Sequence, residues 1–237
     1  MNSRFVEIAR DPTLIPGVYE HCDQWCSYCP HTRRCLAHRC LVDYAKTTRR
    51  DPAGGVFTSL AEIVQFTRDV AGATGQGTPE LDVLLLESQT DGPLAAVADP
   101  LTDMAFEYAA HVAVMAARVE SCVPSVRDDD RRPAPLDVLM WFQGQIATRV
   151  QRAITSAKQA AAGQADRLQD ALGCAKVALI GIGRSRQALR EIAPWADDRA
   201  IAELLQLLEV LEAGLDQRFP GARGFIRPGL DVPVATM

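Results

Sequence analysis

The stretch that decides the fold class is residues 139–157, LMWFQGQIATRVQRAITSA. Apolar or small side chains recur in it at three- and four-residue spacing, at Leu139, Phe142, Ile146, Val150, Ala153 and Ala157. Residues with this spacing lie on one face of an α-helix, and such a face is buried against other helices. The sequence therefore predicts an amphipathic helix of about five turns.

Two later segments carry the same periodicity. The first has its apolar stripe at Leu168, Leu172, Ala175, Leu179 and Ile182, and the second at Ile201, Leu204, Leu208, Leu211 and Leu215. The second helix is expected to begin near Asp197 or Asp198, since aspartate is a favourable N-cap. Three amphipathic helices that follow one another closely predict an all-α, antiparallel helical bundle.

Helix-capping residues predict further helices, which precede the three amphipathic helices in the sequence. Ser59 followed by Glu62 is a capping-box pattern, and Thr78-Pro79 and Asp99-Pro100 each combine an N-cap residue with a proline at the first helical position. They predict helices from about residue 60 to Ala73, from 81 to 88, and from 100 to about 121. Almost no segment alternates with the two-residue period of a strand.

Composition divides the chain into three parts. Residues 1–50 are cysteine-rich, residues 51–218 carry the helical patterns, and residues 219–237 contain prolines and glycines that cannot continue a helix. We predict a small metal-binding segment, a helical bundle and an extended tail. Within the bundle, residues 121–135 are expected to form an exposed connection because of their prolines and charges.

Bulk properties exclude several classes of protein. The chain of 237 residues is 48% hydrophobic and 23% charged, as globular proteins are. Its net charge of -5 makes a nucleic acid partner unlikely. Arg4, Glu7 and Arg10 interrupt the N-terminus where a signal peptide would be apolar, and no apolar run is long enough for a membrane span. A cytoplasmic location is expected.

The most informative segment is residues 21–40, HCDQWCSYCPHTRRCLAHRC. Four sulfurs fall within fourteen residues, at Cys22, Cys26, Cys29 and Cys35. In a reducing compartment, clustered cysteines indicate metal ligands sooner than disulfides, and thiolates suit zinc or iron-sulfur centres. We predict that these four residues bind a metal, with Cys40 as a further candidate ligand.

The identity of the metal stays open at this point. Structural zinc sites usually join two short cysteine pairs across a longer spacer, which this segment lacks, so we favour a [4Fe-4S] cluster over zinc. His31 or His38 could replace a sulfur in a zinc site, although both are interpreted as surface residues. Cys122 and Cys174 are interpreted as ordinary buried residues.

The stretch CSYCPHTRRC, residues 26–35, resembles the last three ligands of the iron-sulfur loop of endonuclease III-like DNA glycosylases. Those enzymes place six residues before this triplet, whereas here only three separate Cys22 from Cys26. Their helix-hairpin-helix domain is not recognisable, so the resemblance implies cluster chemistry and not glycosylase activity. Cys22, Cys26 and Cys29 also fit the radical SAM signature, but such enzymes need strands that this sequence does not predict.

The longer pattern Cys-Asp-x-Trp-Cys-x2-Cys-Pro-x4-Cys resembles a group of uncharacterised bacterial proteins. Its matching residues are Cys22, Asp23, Trp25, Cys26, Cys29, Pro30, Arg34 and Cys35. The segments around Trp141 to Ala153 and AKVALIGIGRS, residues 175–185, are also similar. Gly183 stands where that group is expected to carry an acidic residue. The resemblance implies a shared fold and a bacterial origin, and it implies no activity.

Two other sets of residues have the chemistry of a site. Arg149 and Arg152 on one predicted helix, with Lys176 and Arg184 on the next, could form a cationic pocket for a phosphate or carboxylate. Solvated helix faces with ion pairs along each helix are the alternative. The second set is Glu107, His111, Glu87 and Glu203, which could form a carboxylate-bridged di-iron site, although the usual Glu-x2-His motif is absent.

Three functional hypotheses follow. The first is a cytoplasmic protein with a [4Fe-4S] cluster that is structural or relays electrons to an unknown redox partner. The second is a zinc-stapled helical module that binds another protein without catalysis. The third is a helical-bundle enzyme that binds an anionic substrate, so whether the protein is an enzyme stays open.

Overall fold

The computed structural model describes residues 3–50, 56–75, 99–120 and 134–231. Within these ranges there are seven α-helices and no β-strand, which confirms the predicted all-α fold. The helices are α1 (Ser3–Ala9), α2 (Leu36–Thr48), α3 (Leu60–Ala73), α4 (Pro100–Val119), α5 (Pro135–Ala161), α6 (Arg167–Ile192) and α7 (Asp198–Arg218). None of the helices in the described ranges combines the length and the apolar character needed to cross a membrane.

The chain divides into two compact units. The first comprises Met1–Glu20, Cys29–Ala96 and Pro228–Met237, and the second comprises His21–Tyr28 and Val97–Arg227. The division falls inside the cysteine-rich segment, directly after Tyr28. Cys22 and Cys26 therefore belong to the second unit, whereas Cys29, Cys35 and Cys40 belong to the first.

The second unit is a bundle of α4 to α7 around one apolar core. The stripe predicted on α5 is buried, with Leu139, Ile146 and Val150 fully inaccessible to solvent. Residues 162–166 join α5 to α6, and so short a connection makes these two packed helices antiparallel neighbours. The stripes predicted on α6 and α7 also contribute to this core, except Leu168, which is exposed.

The helix starts follow the capping signals. Asp99 accepts a hydrogen bond from the backbone N–H of Leu101 at the start of α4, and Asp197 accepts one from Ala200 at the start of α7. After α7 ends at Arg218, the short 3-10 helix Ala222–Gly224 interrupts the segment predicted to be extended. The helix predicted over residues 81–88 and most of the predicted connection, residues 121–133, lie outside the described residues.

Asp99 has a second role, because its other carboxylate oxygen accepts a hydrogen bond from Arg218 Nη1 at 2.6 Å. Asp99 is 6% exposed, so an Ala substitution would remove both the helix cap and a shielded ion pair. We expect Asp99→Ala to lower the free energy of unfolding by about 2 kcal/mol. Asp99→Asn keeps a capping oxygen and should cost about half as much. Urea denaturation followed by circular dichroism measures both, and equal losses in the two variants would contradict this account.

The first unit has two small apolar clusters of its own. Phe5 on α1, Leu36 and Cys40 on α2, and Val70 on α3 form one of them. The other joins Ile15, Val18 and Cys35. Helices α1 to α3 are thereby packed together, and the segment before α2 is tied to the N-terminal turns by a hydrogen bond from the Ile15 N–H to the Arg34 carbonyl at 2.9 Å.

The first turn of α3 carries a titratable ion pair. Arg50 Nη1 donates to Glu62 Oε2 at 2.7 Å, and the Thr58 N–H donates to the same oxygen at 2.8 Å. The Arg50 contact first, and then Thr58, lower the pKa of Glu62 from 4.5 to about 2. Since the folded pKa is depressed, the stabilisation is present above pH 4.5 and is lost as the pH falls towards 2.

We therefore expect the Glu62 carboxyl to titrate near pH 2 in the folded protein, as followed by carbon-detected NMR. In an Arg50→Ala variant its midpoint should rise towards 4.5, because the largest cause of the depression is gone. A midpoint that stays unchanged in that variant would show that Arg50 does not set the pKa.

Candidate metal-binding sites

In the second unit, the cysteine-rich loop is fixed to α5 and α6 through Asp23. The Trp141 indole donates a hydrogen bond to the Asp23 carbonyl at 3.0 Å, and Arg184 Nη1 donates to the Asp23 carboxylate at 2.6 Å. Trp25 stacks on Trp141, with ring centroids 5.3 Å apart and planes inclined by 12°. These contacts hold Asp23 and Trp25 against the bundle.

Arg149 provides a further attachment for the same loop. Although arginine rarely lies inside a core, Arg149 is 5% exposed, and its Nη2 donates to the Cys22 carbonyl at 2.9 Å. Its Nη1 lies 3.9 Å from Cys174 Sγ on α6. One guanidinium therefore links the backbone of a predicted ligand to the interior of the bundle.

Two of the predicted ligand sulfurs accept backbone hydrogen bonds. The Gln24 N–H donates to Cys22 Sγ at 3.4 Å, and the His31 N–H donates to Cys29 Sγ, also at 3.4 Å. Each bond spans two residues, so the backbone turns back towards its own cysteine. Gln24 has a φ of 57°, a left-handed conformation that is uncommon for a residue other than glycine.

The remaining cysteines of the first unit are more deeply placed. Cys35 directly precedes α2, and burial is the main cause that raises the pKa of its thiol, with the nearby charge of Cys29 adding to it. Cys40 is fully buried, and burial followed by the Asp43 carboxylate raises its pKa to about 12. None of the six cysteines in the described ranges forms a disulfide.

A group of residues that are distant in sequence lies inside the second unit. His21, Asp170 and Cys174 bring a ring nitrogen, a carboxylate oxygen and a sulfur within 4.8 Å of one another, in an arrangement that could hold a metal ion. We call these three residues the His–Asp–Cys cluster. Asp170 and Cys174 are one turn apart on α6, and His21 comes from the loop.

Gly173 makes room for the histidine in this cluster. A Cβ atom at position 173 would lie 2.4 Å from two atoms of the His21 ring, which is closer than non-bonded atoms approach. The ring also meets Phe225 edge-on, with centroids 4.9 Å apart. His21 thus contacts both a helix and an aromatic ring, and it is 7% exposed.

Hydrogen bonds and charges from neighbouring side chains, together with burial, determine the ionisation of Asp170 and Cys174 in this cluster. Arg152 donates to both Asp170 oxygens, at 3.0 and 2.6 Å, and Ser156 Oγ donates at 2.6 Å. Burial opposes ionisation of Asp170, but these hydrogen bonds outweigh it and lower the pKa of the carboxyl. Burial raises the pKa of the Cys174 thiol, and the charges of Arg152 and Arg149 oppose that rise.

The sequence gives no indication that His21 and Cys174 meet, because they are 153 residues apart along the chain (174 − 21). Cys174 was interpreted as an ordinary buried residue, and it is buried. The only local signal is the four-residue spacing of Asp170 and Cys174, which places two ligand-type side chains on one helix face.

The four cations predicted to bind an anion are all engaged by groups of the protein. Beyond the contacts of Arg149, Arg152 and Arg184 given above, Lys176 Nζ donates to the Arg223 carbonyl at 2.6 Å. Arg149 and Arg152 line a groove of about 500 Å³, together with Gln24, Trp141 and other residues of α5. Lys176 and Arg184 are not among the described residues that line it.

Three of the four residues considered for a di-iron site meet at another surface. Glu107, His111 and Glu203 line an open groove of about 270 Å³ formed by α4 and α7. All three are exposed, and Glu203 pairs with Arg199 at 2.9 Å. The fourth residue, Glu87, lies outside the described residues.

No protein-family model, curated protein or solved structure matches this chain. The chemistry of its sites is therefore argued from its own side chains. Those side chains offer two places for a metal: the cysteine loop predicted from the sequence, and the His–Asp–Cys cluster.

Proposed function

We propose that this chain is a cytoplasmic metal-cluster protein in which Cys22, Cys26, Cys29 and Cys35 bind a [4Fe-4S] centre. Bound there, the cluster would supply either a rigid cross-link or a site for one-electron transfer to a redox partner. The observation that carries the proposal is the pair of backbone N–H groups directed at Cys22 Sγ and Cys29 Sγ.

Hydrogen bonds of this kind matter because a cluster ligand must be a thiolate. A backbone N–H stabilises negative charge on sulfur without adding a proton, and hydrogen bonds to the sulfurs are one of the factors that set a cluster's reduction potential. A cysteine with no such role would gain little from a turn that directs an N–H at its sulfur. The strained backbone of Gln24 is part of the turn that provides the bond to Cys22.

The anchoring of the loop supports the same proposal. Metal ligands bind best when their backbone is already fixed, because less conformational entropy is then lost on binding. Arg149, Trp141 and Arg184 each fix the backbone or the side chain of residues 22 and 23 through hydrogen bonds of 2.6 to 3.0 Å. Burying the charge of Arg149 costs free energy, and that cost would not be expected if the loop served only to connect helices.

Two of the four proposed ligands are close along the chain. Cys26 and Cys29 are separated by two residues, so their Cα atoms cannot be more than about 11 Å apart. The donor set is entirely sulfur, which suits an iron-sulfur cluster or zinc and does not suit magnesium or calcium. Cys40 stays a candidate for a further ligand.

The anionic-substrate hypothesis has less support. Each of Arg149, Arg152, Lys176 and Arg184 contacts a carbonyl, a carboxylate or a sulfur of the protein, and an incoming anion would compete with those groups. The alternative is a structural zinc ion in place of the cluster, with the bundle acting as a protein-binding module. The absorption spectrum distinguishes these two possibilities.

The test is the absorption spectrum of full-length protein purified without oxygen or chelators, recorded before and after addition of dithionite. We expect a brown protein with a broad band near roughly 400 nm, as thiolate-bound iron-sulfur clusters have. Bleaching by dithionite would assign the relay role, and an unchanged band would assign the structural role. A colourless protein containing zinc in the loop would overturn the cluster and indicate the interaction module.

A further inference from the structure

We infer that the His–Asp–Cys cluster is a second metal site, which binds a single divalent ion of the zinc type. It uses none of the four loop cysteines, so it does not rest on the proposed function. The donor set is the first argument. Imidazole nitrogen, carboxylate oxygen and thiolate sulfur are the three ligand types of protein zinc sites, and here one of each converges.

The spacing of the donors is the second argument. Tetrahedral zinc with normal bond lengths needs ligand atoms roughly 3.3–3.8 Å apart. Cys174 Sγ and Asp170 Oδ1 are already 3.9 Å apart, and all three donors lie within 4.8 Å. The separations would thus have to shrink by at most about 1.0–1.5 Å to complete the ligand set. Three protein ligands leave the fourth position for a water molecule.

The surroundings of the ligands are the third argument. Carboxylates that bind metals are themselves hydrogen-bonded by outer groups that orient them. Two residues, Arg152 and Ser156, donate such hydrogen bonds to Asp170 and fix the plane of its carboxylate. Arg149 Nη1 also lies 3.9 Å from Cys174 Sγ, so a further side chain of α5 contacts the ligand group.

The position of His21 also fits a bound ion. The His21 ring lies so close to Gly173 that any residue with a Cβ at position 173 would clash with it. The position of the ring relative to α6 is therefore fixed before an ion binds. A preset histidine reduces the entropy lost on binding.

Zn²⁺ binding by the full chain tests the inference. The loop is first excluded by replacing Cys22, Cys26, Cys29 and Cys35 with Ser, and Zn²⁺ is titrated against a chelator of known affinity. One ion per chain should bind. Adding His21→Ala, Asp170→Asn or Cys174→Ala should weaken binding by more than about 100-fold, since loss of an outer partner alone costs roughly 10- to 100-fold. Asp166→Asn, on the preceding turn, is the matched control and should bind normally.

Where the four-serine variant does not fold, as judged by circular dichroism, the count is made on protein with its natural loop. Zinc should then fall from one ion per chain to almost none in Asp170→Asn, while the iron content stays constant. The inference is overturned if the protein binds no Zn²⁺ outside the loop, or if Asp170→Asn and Cys174→Ala bind it as tightly as Asp166→Asn does. A protein that carries no iron but binds one zinc that is lost in Asp170→Asn would count against the loop cluster alone.

Discussion

Replacing Cys29 with serine is expected to remove most of the iron and acid-labile sulfide from protein purified without oxygen. A serine hydroxyl is a poor ligand for iron at neutral pH, because its proton is far harder to remove than that of a thiol. The substitution also removes the sulfur that accepts the His31 N–H. Iron and sulfide analysis of matched preparations measures the effect, and Cys26→Ser should behave in the same way.

Cys122→Ser is the control for this series, because it also removes one thiol but lies far from the loop in sequence. It should leave the iron content unchanged. Equal iron in Cys29→Ser, Cys26→Ser and Cys122→Ser would mean that the loop sulfurs do not hold the metal. Cys40→Ser, measured beside them, decides whether the fifth cysteine is a ligand, since only a ligand is expected to change the iron count.

The second large effect is expected at Gly173. An alanine there would place its Cβ 2.4 Å from the His21 ring, and the ring is also in contact with Phe225. The ring, and with it the loop at Cys22, must therefore move. We expect Gly173→Ala to lower the free energy of unfolding by roughly 2 kcal/mol, as overpacked core substitutions do, and to abolish Zn²⁺ binding at the His–Asp–Cys cluster.

Gly183 on the same helix provides the control of opposite sign. A Cβ at Gly183 meets nothing within 4 Å, so Gly183→Ala should stabilise α6 by about 0.5–1 kcal/mol through helix propensity alone. Urea denaturation followed by circular dichroism compares the two variants. If Gly173→Ala were also stabilising, the close approach of His21 to α6 would not exist in solution.

Much of the fold could be predicted from the sequence because helices leave local signals. The apolar stripe beginning at Leu139 identified α5, and Asp99-Pro100 and Asp197 identified helix starts that the structure reproduces. The periodicity of apolar residues indicates which face of a helix is buried, and capping residues indicate where the helix begins. Both signals depend only on residues that are close in sequence, so a single sequence is sufficient to predict the helices.

The partners of polar residues could not be predicted in the same way. The sequence identifies Arg149, Arg152 and Arg184 as candidates for a cationic pocket, but nothing in it indicates that Arg149 contacts Cys22 or that Arg184 contacts Asp23. Those pairs are more than a hundred residues apart, and their meeting depends on how the loop packs on the bundle. The proximity of His21 to Cys174 could not be predicted for the same reason.

The central claim is that the loop cysteines hold an iron-sulfur cluster, and the ratio of iron, acid-labile sulfide and zinc to protein tests it most directly. The account predicts about four irons and four sulfides per chain, with at most one zinc that disappears in Cys174→Ala. A protein with no iron and no sulfide, whose zinc is lost in Cys29→Ser, would contradict it.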